Sequence, residues 1–369
     1  MVKTLAAFFA KNPLNWLILA FPLALLARWG NWGDVWVFIL SAVGVIPLSG
    51  WIGEATEAIA VHTGPKIGGL LNATLGNAAE LIITLVAIRA GLLELVKASI
   101  TGSILGNLLF VMGFSMLLGG ARHGVQRFDR KHVGQQAVLL TLSVVALVIP
   151  SLFSHSIGPE GSSKVEALSL GVAAVMIILY ILGIVYSLRD QKSPITYSEP
   201  AEQKGAQSAP VAHWSIRTAV IFLALATVGV VVLSELLVGA VEPVVRQLGL
   251  SEFFLGIILI PIIGNVAEHL VAVRVAMRNQ MELSVEIAMS SSLQIALFVA
   301  PLLVFISLMI GNPLTLIFNL FELLALVAAV LIAALVASDG ESNWLEGAAL
   351  LGVYLILSIA FFLMPASAL

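Results

Sequence analysis

The chain has 369 residues, of which 60% are hydrophobic and only 11% charged. Soluble domains are about a quarter charged, so the composition excludes a string of soluble domains and indicates a polytopic membrane protein. The net charge of -3, from 18 Lys+Arg and 21 Asp+Glu, gives no reason to expect a nucleic-acid partner, and the absence of Cys excludes disulfides, thiolate metal sites and a cysteine nucleophile.

A helix needs about 20 apolar residues to cross the hydrocarbon core. The hydropathy pattern predicts eleven spans, at 14–27, 35–61, 67–88, 98–118, 134–153, 165–188, 216–241, 253–275, 287–310, 316–337 and 345–364. The first is short, and its lead-in of Lys11, Asn12 and Pro13 has the form of a signal-peptide n-region. Arg28 and Trp32 stand where a small-residue cleavage site would be needed, so it is kept as a span. Residues 189–213 carry Pro194, Pro200 and Pro210 among charges of both signs and read as a linker. The expected organisation is an N-terminal segment with the first helix (1–33), a five-helix unit (34–188), the cytoplasmic linker (189–213) and a second five-helix unit (214–369). With the N-terminus in the cytoplasm, only Arg28, Arg89, Lys97, Lys164 and Arg246 of the 18 basic residues fall on outer segments. The positive-inside rule therefore predicts N-terminus in and C-terminus out.

An internal repeat crosses this arrangement. Gly76-Asn77-Ala78-Ala79-Glu80 recurs as Gly264-Asn265-Val266-Ala267-Glu268, and the same offset pairs Ser103 with Ser291, Phe110 with Phe298 and Val111 with Val299. Upstream, Thr56-Glu57 resembles Ser234-Glu235 at a different offset. The copies begin on spans three and eight, an odd number of crossings apart, so the second is inverted. Inverted repeats with helix-breaking residues mid-span are the pattern of a secondary transporter, with its site at the repeat interface. Gly76, Gly264 and Pro261 are expected to weaken their helices, which is tolerable only beside a cavity or within protein. Close helix packing would explain the glycines but not the carboxylates.

On a helix, Asn77 and Glu80 share a face, as do Asn265 and Glu268. Two carboxylates with amide oxygens form an oxygen-only set suited to Ca²⁺, Mg²⁺ or Mn²⁺. Once the cation leaves, two bare carboxylates in low dielectric are strongly disfavoured. The emptied site should take up protons or another cation before it reorients, which favours exchange over uniport. Permanently protonated acids bonded to a neighbouring helix are the structural alternative. Glu54 and Glu57 share a face of span two, and Glu235 and Glu242 one of span seven; these four are candidates for proton or ion passage, or for partners of loop cations. His269 lies about 100° round the helix from Glu268 and would either relay protons or pack structurally. Ser103, Asn107, Ser290, Ser291, Ser292 and Gln294 place polar groups on spans four and nine, where they line the site or bond helices together. Glu322 is mid-span with no motif and stays unassigned.

With these motifs the chain resembles the calcium/proton exchangers, the CAX branch of the Ca²⁺:cation antiporter superfamily. The resemblance rests on Gly69-Leu70-Leu71-Asn72-Ala73-Thr74-Leu75-Gly76-Asn77-Ala78-Ala79-Glu80, on Gly264-Asn265-Val266-Ala267-Glu268-His269, and on Gly102-Ser103-Ile104-Leu105-Gly106-Asn107 with Ser291-Ser292-Leu293-Gln294. The sodium/calcium branch has Pro before the acid, which is absent here. The resemblance implies that Glu80 and Glu268 bind Ca²⁺, that helices two, three, seven and eight surround it, and that Glu57, Glu235 and His269 serve proton or cation passage. Several relatives carry an acidic helix in the linker; here only Asp190, Glu199 and Glu202 stand among Arg189, Lys192 and Lys204, which argues against regulation through that segment.

The expectation is an all-α membrane protein of eleven transmembrane helices, an extra first helix followed by two inverted five-helix repeats. It would export cytosolic Ca²⁺ in exchange for H⁺ by alternating access, in a prokaryotic cell membrane or, alternatively, a vacuolar one. Its partners would be Ca²⁺, H⁺ and the lipid bilayer; monomer and homo-oligomer both stay open. No cofactor and no catalysis are expected: there is no G-x-x-x-x-G-K-[ST], and Glu268-His269 lacks the second His of a metalloenzyme helix. The rivals are Na⁺ or K⁺ as counter-ion, Mn²⁺ as cargo, or a cation channel lined by acids.

Overall fold

The computed structural model describes residues 13–63, 68, 71, 72, 74–189 and 214–364. The linker residues 190–213 lie outside the described residues, as do Lys3, Lys11, Asn12 and Lys66, and Gly69, Leu70 and Ala73 of the first repeat motif.

Among the described residues, eleven main helical segments follow in order. They are α1 (Pro13–Trp29), α2 (Asp34–Thr63), α3 (Ala78–Arg89), α4 (Leu93–His123), α5 (Arg130–Ile157), α6 (Ser163–Arg189), α7 (Ile216–Leu248), α8 (Glu252–Ala276), α9 (Met281–Ile310), α10 (Leu320–Val336) and α11 (Trp344–Leu363). Eight of them are long and apolar enough to cross a membrane, and α1 and α10 are shorter apolar helices. The outward faces of α5, α6, α7, α10 and α11 expose Leu, Ile and Val, as a lipid-facing wall requires.

Contacts between connections sort the helix ends into two faces. On one, Lys97 of α4 meets Glu160 of the α5–α6 connection, Thr315 of the α9–α10 connection bonds the same Glu160, and Asn312 donates to the Ile88 carbonyl. On the other, a two-residue ladder pairs Gln126 with Ser342 and Arg127 with Glu341, and Gln126 donates to the Ala276 carbonyl. Only odd-numbered connections meet on the first face and even-numbered ones on the second, as a chain that crosses at every helix demands.

Packing repeats with the helices exchanged. α3 packs on α7 and α8 on α2; α4 packs on α11 and α9 on α6; α9 packs on α5 and α4 on α10. At the α2–α7 crossing, Leu233 lies over Gly44 and Leu48 over Gly229, so each glycine accepts the other helix's leucine. This reciprocity relates Gly44 to Gly229 and Leu48 to Leu233. It therefore relates Glu57 to Glu242, and Glu235 to Gly50, in place of the Thr56-Glu57 and Ser234-Glu235 pairing.

Four local features depart from the hydropathy reading. The turn at Gly76-Asn77 breaks the third helix, but α8 runs unbroken through Gly264. Its irregularity falls earlier, in a π-helical turn at Leu255–Leu259 just before Pro261. Pro261 has no N–H to give the preceding turn, and Gly102 of α4 packs directly on the Ile257 carbonyl. Further π-helical turns at Gly106–Val111 and Ile295–Val299 occupy equivalent places in α4 and α9. α7 breaks at Ala240 into Ile216–Gly239 and Val241–Leu248, so Glu235 and Glu242 do not share one helical face. Finally, α10 begins at Leu320 rather than 316. Asn319 caps it, and Glu322 returns the hydrogen bond to the Asn319 N–H in a capping box. Glu322 is thus a first-turn residue, and Thr101 Oγ1 of α4 donates to its carboxylate at 3.2 Å.

Candidate functional site

The broken third helix sets the first half of the site. Asn77 is the N-cap of α3, and Glu80 stands in its first turn, where the helix dipole favours negative charge. The Asn77 side chain makes no capping bond of its own. Its Nδ2 instead donates to Gln294 Oε1 of α9 at 2.7 Å. Glu268 comes from the middle of α8, beside Asn265, whose Nδ2 donates to the Pro261 carbonyl at 3.1 Å.

The two motifs interlock. A Cβ placed on Gly264 would lie 3.0 Å from Glu80 Cγ, and one on Gly76 would lie 3.7 Å from Glu268 Oε1. Glu80 therefore occupies space that Gly264 leaves open, while Glu268 comes within ordinary contact of Gly76, where a Cβ would first meet the Asn72 carbonyl. The glycines weaken the helices as expected only in α3, and each lies beside the opposing motif's carboxylate.

Spans four and nine complete the polar set. Asn107 Nδ2 donates to Ser291 Oγ at 3.0 Å, and Ser291 Oγ lies 3.2 Å from both Asn77 Oδ1 and Glu268 Oε2. A hydroxyl has one proton, so those two acceptors share it. Glu80 Oε1 is buried and has no hydrogen-bond partner among the described residues. The centre thus holds more oxygen acceptors than protein donors, which is the electrostatic condition for a cation or for added protons.

Other candidates sit apart. Ser292 bonds its own helix at Ala288 O, and Ser103 is buried on α4. His269 is buried against Phe110, ring centroids 6.1 Å apart, with its Nε2 unpartnered among the described residues. Glu54 and Glu57 are exposed on the last turns of α2, beyond Gly50, which packs on Ala267. Glu235 is exposed at the opposite face, 3.9 Å from Arg89, and Glu242 pairs with Arg246 at 3.3 Å. Glu286 lies outside the ninth span by hydropathy, which begins it at 287, whereas the helix begins at Met281 and Glu286 is buried within it. A polar residue at every fourth position of α9 was the signal available.

A family model described as sodium/calcium exchanger protein matches residues 33–189 and 218–363. The chain belongs to that family. Two of the proteins it resembles are named Ca²⁺/H⁺ antiporter. One, from Aphanothece halophytica, is 43% identical over 95% of this chain and 96% of its own length. Another, from Synechocystis sp., is 44% identical over 96% and 98%. The solved structure of the Ca²⁺/H⁺ antiporter protein YfkE superposes with a TM-score of 0.81, at 38% identity over 96% of this chain and 100% of that one.

Proposed function

We propose that the chain exchanges cytosolic Ca²⁺ for H⁺ across a prokaryotic cell membrane, N-terminus in the cytoplasm and C-terminus outside. The observation that carries this reading is the interlocked pair, one carboxylate from each inverted repeat packed over the other repeat's glycine. One Ca²⁺ would take a carboxylate oxygen from Glu80 and from Glu268, with amide oxygens of Asn77 and Asn265 completing the set. Without Ca²⁺, the same surplus of acceptors takes protons: a protonated Glu268 donates to Asn77 Oδ1 or Ser291 Oγ, and Glu80 gains a hydrogen to give. Cation and protons thus satisfy the same oxygens in turn, so neither needs a bare charge pair to cross low dielectric. Glu54 and Glu57 would form the vestibule on one face and Glu235 on the other.

The test is Ca²⁺ uptake into inverted vesicles under an imposed pH gradient, with Na⁺, K⁺ and Mn²⁺ in competition. Uptake should follow the opposing pH gradient steeply. Flux that follows voltage and Ca²⁺ alone would instead make the protein a channel, and flux driven by Na⁺ would change the counter-ion. Glu80→Gln and Glu268→Gln should each abolish exchange in folded protein, because Gln keeps the shape and loses the charge. Transport at the wild-type rate in either variant removes the site.

A further inference from the structure

A second polar feature runs from the central site to the inner face, away from the acids of α2 and α7. Along α9, Glu282, Glu286, Ser290 and Gln294 recur at every fourth residue and form one ridge. Its upper end is Gln294, bonded to Asn77 in the site, beside Ser291, which touches Glu268. Its lower end is Glu282, exposed at the start of the helix. Between them, Glu286 is buried and lies 3.6 Å from His132 Nε2 of α5.

α5 and α9 run the same way from this face, so the next residue along the α5 ridge, Gln136, comes opposite Ser290. Gln136 is fully buried, and neither its Oε1 nor its Nε2 has a hydrogen-bond partner among the described residues; the same holds for His132 Nδ1. A buried primary amide with no bond is strongly disfavoured, and water is the usual remedy. Three unsatisfied polar atoms in one seam give water the several partners it needs.

The opposite half, α4 against α10, carries a different polar set: Thr101 donates to buried Glu322, so its polar pair is already satisfied. The repeat offset maps Glu282, Glu286, Ser290 and Gln294 onto Glu94, Ala98, Gly102 and Gly106, and His132 and Gln136 onto Leu320 and Leu324. There, Gly102 is filled by the Ile257 carbonyl and Pro261 of α8. At the positions matching Glu286, Ser290, His132 and Gln136, the opposite half has Ala98, Gly102, Leu320 and Leu324.

We propose that the α5–α9 seam is a water-filled proton path, separate from the cation vestibules, joining Glu268 to the inner face through Ser290, Gln136 and the His132–Glu286 pair. The proposal rests on the Ca²⁺/H⁺ exchange reading. Each proton that leaves Glu268 enters the chain of waters held by Ser290 and Gln136. One proton is passed on at the His132–Glu286 pair, and one is released at Glu282, so none accumulates in the seam. The charged groups facing His132 are Glu286 and Glu282 from α9 and Asp129 from its own N-cap, with Arg130 and Lys131 exposed on its first turn. α6 and α10 also pack on α5; they carry no charged residue over 167–188 and 323–336.

The experiment uses full-length protein in liposomes and compares two fluxes of radioactive Ca²⁺. Ca²⁺/H⁺ exchange requires protons to move, whereas Ca²⁺/Ca²⁺ exchange at equal pH on both sides does not. Gln136→Leu should lower Ca²⁺/H⁺ exchange by about tenfold or more while leaving Ca²⁺/Ca²⁺ exchange within roughly twofold. The isosteric Glu286→Gln should show the same split, and covers the case in which Gln136→Leu does not fold. Equal loss of both fluxes in the folded Glu286→Gln protein would mean a purely structural seam. No loss of either flux would mean that protons share the cation vestibules. Both results overturn the proposal. Absence of proton counter-flow in the unmodified protein would instead overturn the exchange reading on which it stands.

Discussion

At the scale of single residues, the site is defined by what fills the space beside two glycines. A Cβ on Gly264 would lie 3.0 Å from Glu80 Cγ, closer than most Cβ contacts, and Glu80 is buried. Gly264→Ala is therefore expected to displace Glu80 by a few tenths of an ångström and weaken Ca²⁺ binding about tenfold, about 1.4 kcal/mol. Isothermal Ca²⁺ titration of the folded variant checks this. Glu80, Glu268 and their flanking asparagines were legible in the sequence because a repeated acid in an apolar span has few structural uses. Glu322 was not: its partners are Asn319, which looked like part of the span, and Thr101, 221 residues away. Glu242 was misplaced for a different reason: hydropathy runs on through the break at Ala240, although Gly239 just before it and Pro243 just after it were signals of one.

At the scale of elements, two contacts hold the helices that carry the site. Gly102 of α4 meets the backbone carbonyl of Ile257, which cannot rotate away as a side chain would. Gly102→Ala should destabilise the protein by about 1–3 kcal/mol, read as a lower melting temperature in detergent. The second contact is the buried ammonium of Lys97, 2.6 Å from Glu94 and 2.8 Å from Glu160, with Thr315 on the same Glu160 oxygen. Burial opposes the charge on Glu160, but its hydrogen bonds from Lys97 and Thr315 outweigh that and hold its pKa below the usual carboxylate range. A carboxylate with a lowered folded pKa stabilises the fold above its unfolded pKa and ceases to do so as pH falls through the folded one. Lys97→Met should thus cost about 2 kcal/mol at pH 7, a figure reduced because both acids are half exposed. The gap from the unmodified protein should narrow below about pH 4. Thermal melts in detergent across pH read both effects. The three π-helical turns belong to this scale too. Hydropathy is blind to them, because an extra residue in a turn leaves an all-apolar sequence equally apolar.

At the scale of the whole molecule, the lack of Cys makes sidedness directly measurable. A single Cys at Asn31, between α1 and α2, should react with an impermeant maleimide from outside intact cells. One at Arg278, between α8 and α9, should react only after the membrane is opened. The reverse pattern would turn the molecule over and with it the direction of transport. Exposed Trp29, Trp32 and Trp36 cluster near the α1–α2 connection, as anchors at a membrane boundary do. The helical membrane fold, the repeated motif and the acids it carries were legible in the sequence alone. Each depends on apolar length or local motif, and these are local properties of the chain. Only the tertiary structure decided which residues meet: Glu80 over Gly264, Leu48 over Gly229, His132 beside Glu286. In a bilayer, helices are apolar on every side, so no hydrophobic stripe marks the buried face; shape and hydrogen bonding select the neighbours.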